Sequence, residues 1–363
     1  MLDKFRFRDR EYAEKISERI KSMQVNARFM HVCGTHQDTL VKYGLDEIFS
    51  RAGIEIRQGP GCPVCVTTPL EIEEGISLAK KGKTIATYGD LLKVPGEKDS
   101  LLKAKARGCD VRVVYSIDDS VDIAAKNKDK EIVFMAIGFE TTAPSTANVL
   151  LKSPPENFSI LNCHRRIPPA LKALMDMGEA KIDGFIEPGH VSTIIGVKPY
   201  KFLSEQYKIP QVITGFEPID LLMGVYMLVK QLKEGRAEVE NEYKRAVDPQ
   251  GNEKALEKID EVFKPDAIEW RGFPIIPDSH LSLKPAFESK DASVRYEDEL
   301  SELKHKEFKE QRGCRCNEML RGLITPQECP LFGKKCTPMN PVGPCMVSFE
   351  GACQIEYKWR RKV

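Results

Sequence analysis

The stretch IVFMAIGFETTAP, residues 132–144, changes character in its middle. Ile132–Gly138 is an unbroken apolar run that reads as a strand, and the Phe-Glu-Thr-Thr after it is a turn. Whether the chain repeats this cadence decides the fold. RFMHV (28–32), IEIR (54–57), TIATY (84–88) and VRVVY (111–115) come before it. FSILNC (158–163), DGFIEP (183–188) and QVITGF (211–216) come after. Helical stretches such as TPLEIEEGISLAKKG (68–82) and SLLKAKARG (100–108) lie between. Short β-rich runs alternating with helices, at about 25 residues per strand, are the units of a parallel sheet.

Eight strands at this spacing predict an α/β fold of two similar domains, each a four-stranded parallel sheet flanked by helices. The first spans 1–130 and the second 131–230. The tripeptide GFE follows a strand twice, at Gly138–Glu140 and Gly215–Glu217, a faint trace of duplication. Beyond residue 230 the chain turns charged and helical, in VKQLKEGRAEVENEYKRAV (229–247), NEKALEKIDEVF (252–263) and YEDELSELKHKEFKEQRG (296–313). WRGFPIIPDSHLSLKPAF (270–287) reads as loop, because its prolines forbid a long helix. Residues 231–363 thus form a third, helical and cysteine-rich region, and the amphipathic helix over 9–23 is placed against it.

Lysine and arginine number 55 against 54 aspartates and glutamates, a net charge of +1, which argues against a nucleic-acid surface or an anionic membrane face. No apolar run is long enough to span a bilayer, and the charged N-terminus MLDKFRFRDREYAEK lacks the core of a signal peptide. A cytoplasmic location is expected, where the 11 cysteines serve metal binding or catalysis rather than a disulfide framework.

Ligands in open parallel sheets bind beyond the carboxyl ends of the strands. That is where this chain's reactive residues fall: CGTHQDT with Cys33 and His36, GPGCPVC with Cys62 and Cys65, YGDLLKVPG with Asp90, and EPGHVS with His190. GFETTAP, NCHRR and GFEPID end other strands. A cleft between two facing domains is the natural site. A Cys-x-x-Cys pair holds a metal, closes a redox disulfide, or does both in turn. In residues 59–65 the glycines let the backbone bend and Pro60 and Pro63 stiffen it, so both sulfurs face one way. With Cys33 they make three soft donors suited to iron or zinc. A closed zinc knuckle wants a second Cys-x-x-Cys, and none is near, so a redox or iron site is the better reading. Asp90 suits acid–base work or a helix cap. His31, His164, His280 and His305 read as structural.

Six thiols, Cys314, Cys316, Cys329, Cys336, Cys345 and Cys353, crowd residues 314–353 and point to a metal cluster, with zinc as the rival. One even choice of four is C-x14-C-x6-C-x16-C, using Cys314, Cys329, Cys336 and Cys353. This tail is too rich in Cys, Gly and Pro for regular elements, so something other than an apolar core is expected to hold it. No phosphate loop, dinucleotide fingerprint or serine elbow is present.

Taken together, CGTH, GPGCPVC, YGDLLKVPG, GFETTAP, EPGHVS, GFEPID and the tail spacing resemble the HypD family of hydrogenase maturation proteins, over essentially the whole chain and in family order. The resemblance implies an assembly scaffold for the Fe(CN)2CO centre of NiFe hydrogenases, rather than an enzyme turning over a small substrate. It implies a stable complex with HypC, transient cyanide delivery from HypE, and only indirect contact with the hydrogenase large subunit. By motif, Cys33 would contact the iron under assembly and Cys62 and Cys65 would be redox-active, with His36, Asp90 and His190 lining the cleft. Cys314, Cys329, Cys336 and Cys353 would bind a 4Fe–4S cluster beside Glu350, and Cys316 and Cys345 are a candidate second redox pair. The competing readings are an iron–sulfur thiol–disulfide reductase acting on another protein, for which Cys33 would be dispensable, and a structural zinc protein.

Overall fold

The computed structural model describes residues 9–304, 306–308 and 310–360, with His305 outside them. All eight expected strands form: β1 (Ala27–His31), β2 (Ile54–Gln58), β3 (Thr84–Thr87), β4 (Val111–Val113), β5 (Ile132–Gly138), β6 (Phe158–His164), β7 (Gly184–Pro188) and β8 (Gln211–Thr214). Three more follow that the sequence did not announce: β9 (Val239–Asn241), β10 (Phe263–Glu269) and β11 (Ile275–Leu283). Among the described residues, no helix is long and apolar enough to cross a membrane.

The strands pair differently from the expected split into consecutive halves. One parallel sheet has five strands in the order β2-β1-β7-β8-β9, and the other has four in the order β4-β3-β5-β6. The two-sheet architecture stands, but the first sheet has one strand more than expected. The chain leaves this sheet after β2, builds the whole second sheet, and returns at β7, which pairs directly with β1 through Met30 and Phe185. An apolar run marks a strand without naming its neighbour, and pairing of sequential strands is only a tendency.

Side-chain alternation builds three cores from these sheets. On β5, Val133, Met135 and Ile137 face a central core, while Ile132, Phe134 and Ala136 face an outer one. The central core takes Met30 of β1 and Val32 just past it, and Cys336, Cys345, Met346 and Cys353 from the tail. The tail is therefore held partly by apolar burial, contrary to expectation. The third core covers the far side of the first sheet. There Ile16 and Ile20 of the N-terminal helix Arg10–Ser22 pack with the helix Pro218–Glu234, not with the C-terminal region.

The proline-bearing segment read as loop holds β11, which forms an antiparallel ribbon with β10 just before it. Proline excludes a long helix but is tolerated in an edge or two-stranded pairing. Its Leu281 and Leu283 cover the outer face of the second sheet. Of the expected helix over 296–313, Glu297–Lys304 is helical and 306–308 are not, while 305 and 309 lie outside the described residues.

Candidate functional site

Three segments converge at the carboxyl end of β1. Val32 leads from β1 into Cys33, which sits just before the helix Gly34–Lys42. The GPGC loop after β2 lies directly on this backbone: a β-carbon on Gly61 would overlap the Val32 carbonyl and the Cys33 nitrogen. Neither Gly59 nor Gly61 has a positive φ, so Gly61 serves close approach rather than the bend expected of it. The third segment is the tail, whose Glu350 backbone touches Gly34.

Together they wall an open cleft of about 390 Å³, lined by residues past β1, β2, β3, β5 and β7 and by Ser348–Glu350. Of the candidate residues, Cys33, Asp90, His190 and Glu350 line it. Burial, reinforced by the Glu350 carboxylate, pushes the Cys33 thiol up to about 12. Burial and the neighbouring Asp90 push Glu350 up to about 7. Asp90 caps no helix. Its Oδ2 accepts from Ser348 Oγ and the Phe349 backbone N–H, both at 3.3 Å, and so ties the tail to the end of β3. Glu350 stands with Cys33 at the cleft, whereas the tail cysteines line a separate cavity.

Cys62 and Cys65 are joined as a disulfide, wholly buried beneath the cleft, while Pro63 and Val64 of the same loop reach its wall. Cys62 opens the short helix Pro63–Val66, its Sγ accepting from the Cys65 N–H at 3.1 Å. That helix packs on β5 and on two tail elements, the helix Cys316–Leu320 and the turn Pro344–Met346 that carries Cys345.

His36 does not reach the cleft wall. It is fully buried, with Nε2 3.0 Å from the Gly215 carbonyl and 2.9 Å from Thr214 Oγ1. Burial, and then the nearby His31, lower it to about 3, so it stays neutral. His36 stacks on Phe216 with centroids 4.8 Å apart, and Phe216 stacks on His190 at 3.9 Å. His36 thus supports a His–Phe–His stack whose outer member faces the cleft. His31 joins the tail through polar contacts: His31 Nε2 lies 2.7 Å from Gln37 Oε1, and Gln37 and Gln327 both donate to Glu356.

All six tail cysteines line one small cavity with Met319, Leu331 and Phe332. Cys314 contacts Cys316, and Cys316 contacts Cys345. Unlike Cys62 and Cys65, these six are free thiols. Among the described residues, no group of three or more His, Cys, Asp or Glu closes on a single ion.

Phe216, Gln37 and Ser348 escaped the sequence reading. Phe216 had a usable signal, because it belongs to the repeated GFE at a strand end.

The family model HypD, described as "Hydrogenase formation hypA family", matches residues 9–360. A putative hydrogenase expression/formation protein of Methanocaldococcus jannaschii is 48% identical over 350 residues, covering 96% of this chain and 95% of the relative. Hydrogenase maturation factor HypD2 of Bradyrhizobium diazoefficiens is 43% identical over 370 residues, with 98% and 96% covered. HypD of Cupriavidus necator is 40% identical over the same length and shares. These similarities and the fold they extend over define a hydrogenase maturation factor. The chain belongs to the HypD family.

Proposed function

We propose that this maturation factor is the cytoplasmic scaffold on which the Fe(CN)2CO unit of a NiFe hydrogenase is assembled, with iron held between Cys33 and HypC and cyanide received from HypE. One observation carries the reading: a lone thiol, Cys33, lines an open cleft together with Gly61, Pro63 and Val64 of the loop that holds a buried disulfide. At about 12 the Cys33 thiol keeps its proton until a cation replaces it, so iron loading releases that proton. Glu350, raised to about 7 and close enough to act on Cys33, is placed to take it up. His190 presents a ring held on one face by Phe216 to whatever occupies the cleft.

Delivering cyanide from a thiocyanate breaks an S–C bond and consumes two electrons and a proton, leaving a thiol and cyanide on iron. The Cys62–Cys65 dithiol supplies those electrons as its own S–S bond forms and two protons leave. A Cys62–Cys65 disulfide, the pairing these two sulfurs can make, would be the product of that step.

The tail cavity suits a resident iron–sulfur cluster, because all six of the tail's thiols line it. Cys314, Cys329, Cys336 and Cys353 would hold a 4Fe–4S cluster. When bound, it supplies electrons one at a time. Cys316 and Cys345, free and in mutual contact, return the Cys62–Cys65 disulfide to the dithiol by thiol–disulfide exchange.

The test is anaerobic co-purification with HypC, followed by metal analysis and infrared spectroscopy. Cyanide and carbonyl bands that vanish in Cys33→Ala support the scaffold. Four irons per chain with no such bands, or bands that survive Cys33→Ala, overturn it.

A further inference from the structure

The turn Trp270-Arg271-Gly272-Phe273 lies in none of the motifs above, yet it sits between the two cysteine pairs. On one side the Arg271 backbone N–H donates to the Val66 carbonyl and its Nε to the Thr67 carbonyl, both at 2.9 Å. Those carbonyls end the short helix that carries Cys65. On the other side Gly272, at φ +82°, lies against Asn317, the residue after Cys316. A β-carbon there would come within 2.8 Å of Asn317 Cα. Arg271 is 3% exposed, and its Nη1 donates to both oxygens of Glu310 at 2.8 and 2.6 Å. Nη2 is buried with no hydrogen-bond partner among the described residues. Both Cys316 and Cys345 lie within reach of its charge.

We propose that Arg271 is the positioning residue for exchange between the Cys316/Cys345 thiols and the Cys62–Cys65 disulfide, holding the end of the CPVC helix in register with the Cys316 turn. This rests on the exchange proposed above. In that exchange Cys316 and Cys345 lose two electrons and two protons as an S–S bond forms between them. Cys62–Cys65 gains both as its S–S bond breaks, so no outside oxidant or reductant is consumed. The side chain ties down one reacting partner while its charge faces the other, where a transient thiolate needs a cation. Its planar Nε–H reaches the Thr67 carbonyl at the end of the CPVC helix, a contact that a flexible lysine does not reproduce.

The experiment follows the exchange itself. Anaerobic full-length holoprotein with both pairs oxidised receives one equivalent of a phosphine, is quenched in acid at intervals and alkylated. Mass spectrometry then reports how the remaining disulfide divides between positions 62–65 and 316–345. The unaltered protein relaxes to a constant ratio. Arg271→Met slows that relaxation by about tenfold, the loss expected for one charged hydrogen bond, and leaves the final ratio unchanged. Arg271→Lys recovers part of the rate. Glu310→Gln relaxes as the unaltered protein does, although it too breaks the buried ion pair.

Relaxation of Arg271→Met at the normal rate overturns the assignment. Equal slowing in Arg271→Met and Glu310→Gln also overturns it, because both then report only a loosened fold. If Arg271→Met does not fold, Arg271→Lys against Glu310→Gln decides in the same way. A 316–345 disulfide that persists without exchange in the unaltered protein overturns the exchange reading, and the assignment with it.

Discussion

Gly34 and Glu350, near opposite ends of the chain, meet backbone to backbone: a β-carbon on Gly34 would lie 2.6 Å from Glu350 Cα. The residue after Cys33 is therefore the seat on which the tail closes the cleft. Gly34→Ala must push backbone rather than a flexible side chain, costing about 1–3 kcal/mol. We expect a lower melting temperature and faster alkylation of Cys33 by iodoacetamide. Unchanged alkylation would mean that the tail does not cover Cys33.

Glu71 and Arg165 form a buried bidentate pair, with contacts of 3.0 and 2.6 Å, between the helix Pro69–Lys80 and the end of β6. Arg165 is 1% exposed and also donates to the Cys163 and Glu269 carbonyls. Removing one partner strands a buried charge, so Glu71→Gln should destabilise by about 3–5 kcal/mol. Combining it with Arg165→Met should cost clearly less than the sum of the two. Urea unfolding of the four proteins measures this, and additive costs would deny the coupling.

Burial, then the charges of His280 and Arg165, lower His164 to about 3. A histidine with a depressed folded value contributes stability in full above its unfolded value of about 6.5. As the pH falls below that, the unfolded chain takes a proton that the fold refuses, at about 1.4 kcal/mol per pH unit. The advantage of the unaltered protein over His164→Gln should thus shrink between pH 6.5 and 4. Comparing the two cancels the opposite trend from Glu140, Glu242 and Glu356, each raised to about 7. A difference constant with pH would contradict a neutral buried His164.

Phe216 covers one face of His190, and burial lowers the value of that imidazole. Phe216→Ala opens the ring to water, so the His190 titration should move up toward the ordinary histidine range. Proton–nitrogen NMR of the two proteins reads this directly. A titration that stays in place would assign the shift to something other than the stack.

The eight strands were legible because each is an apolar run closed by a turn. The partner of β1 was not, since β7 lies far along the chain and nothing in RFMHV specifies it. β9 was hidden in a charged stretch, and β10 and β11 behind prolines that rule out helix without ruling out pairing. At the site, motif positions gave the strand ends and so brought Cys33, Asp90 and His190 to one cleft. They did not give side-chain direction. His36 turns inward to Thr214, while the Cys62–Cys65 sulfurs lie beneath the loop that names them. Glu350 was legible as a position but not as a wall of the Cys33 cleft. Arg271 carried no signal, because its importance lies in carbonyls that sequence does not display.

The interleaving of the two sheets has a consequence for the newborn chain. As synthesis proceeds, β1 and β2 emerge first but stay without β7 and β8 until the whole β3–β6 sheet has been made. The later sheet is the contiguous one, its contacts are the shorter in sequence, and such local contacts form sooner. Cys33 therefore leaves the ribosome long before its cleft exists, because the last wall, Ser348–Glu350, is made only after β1–β11. A half-made chain therefore lacks the walled cleft that Cys33 lines.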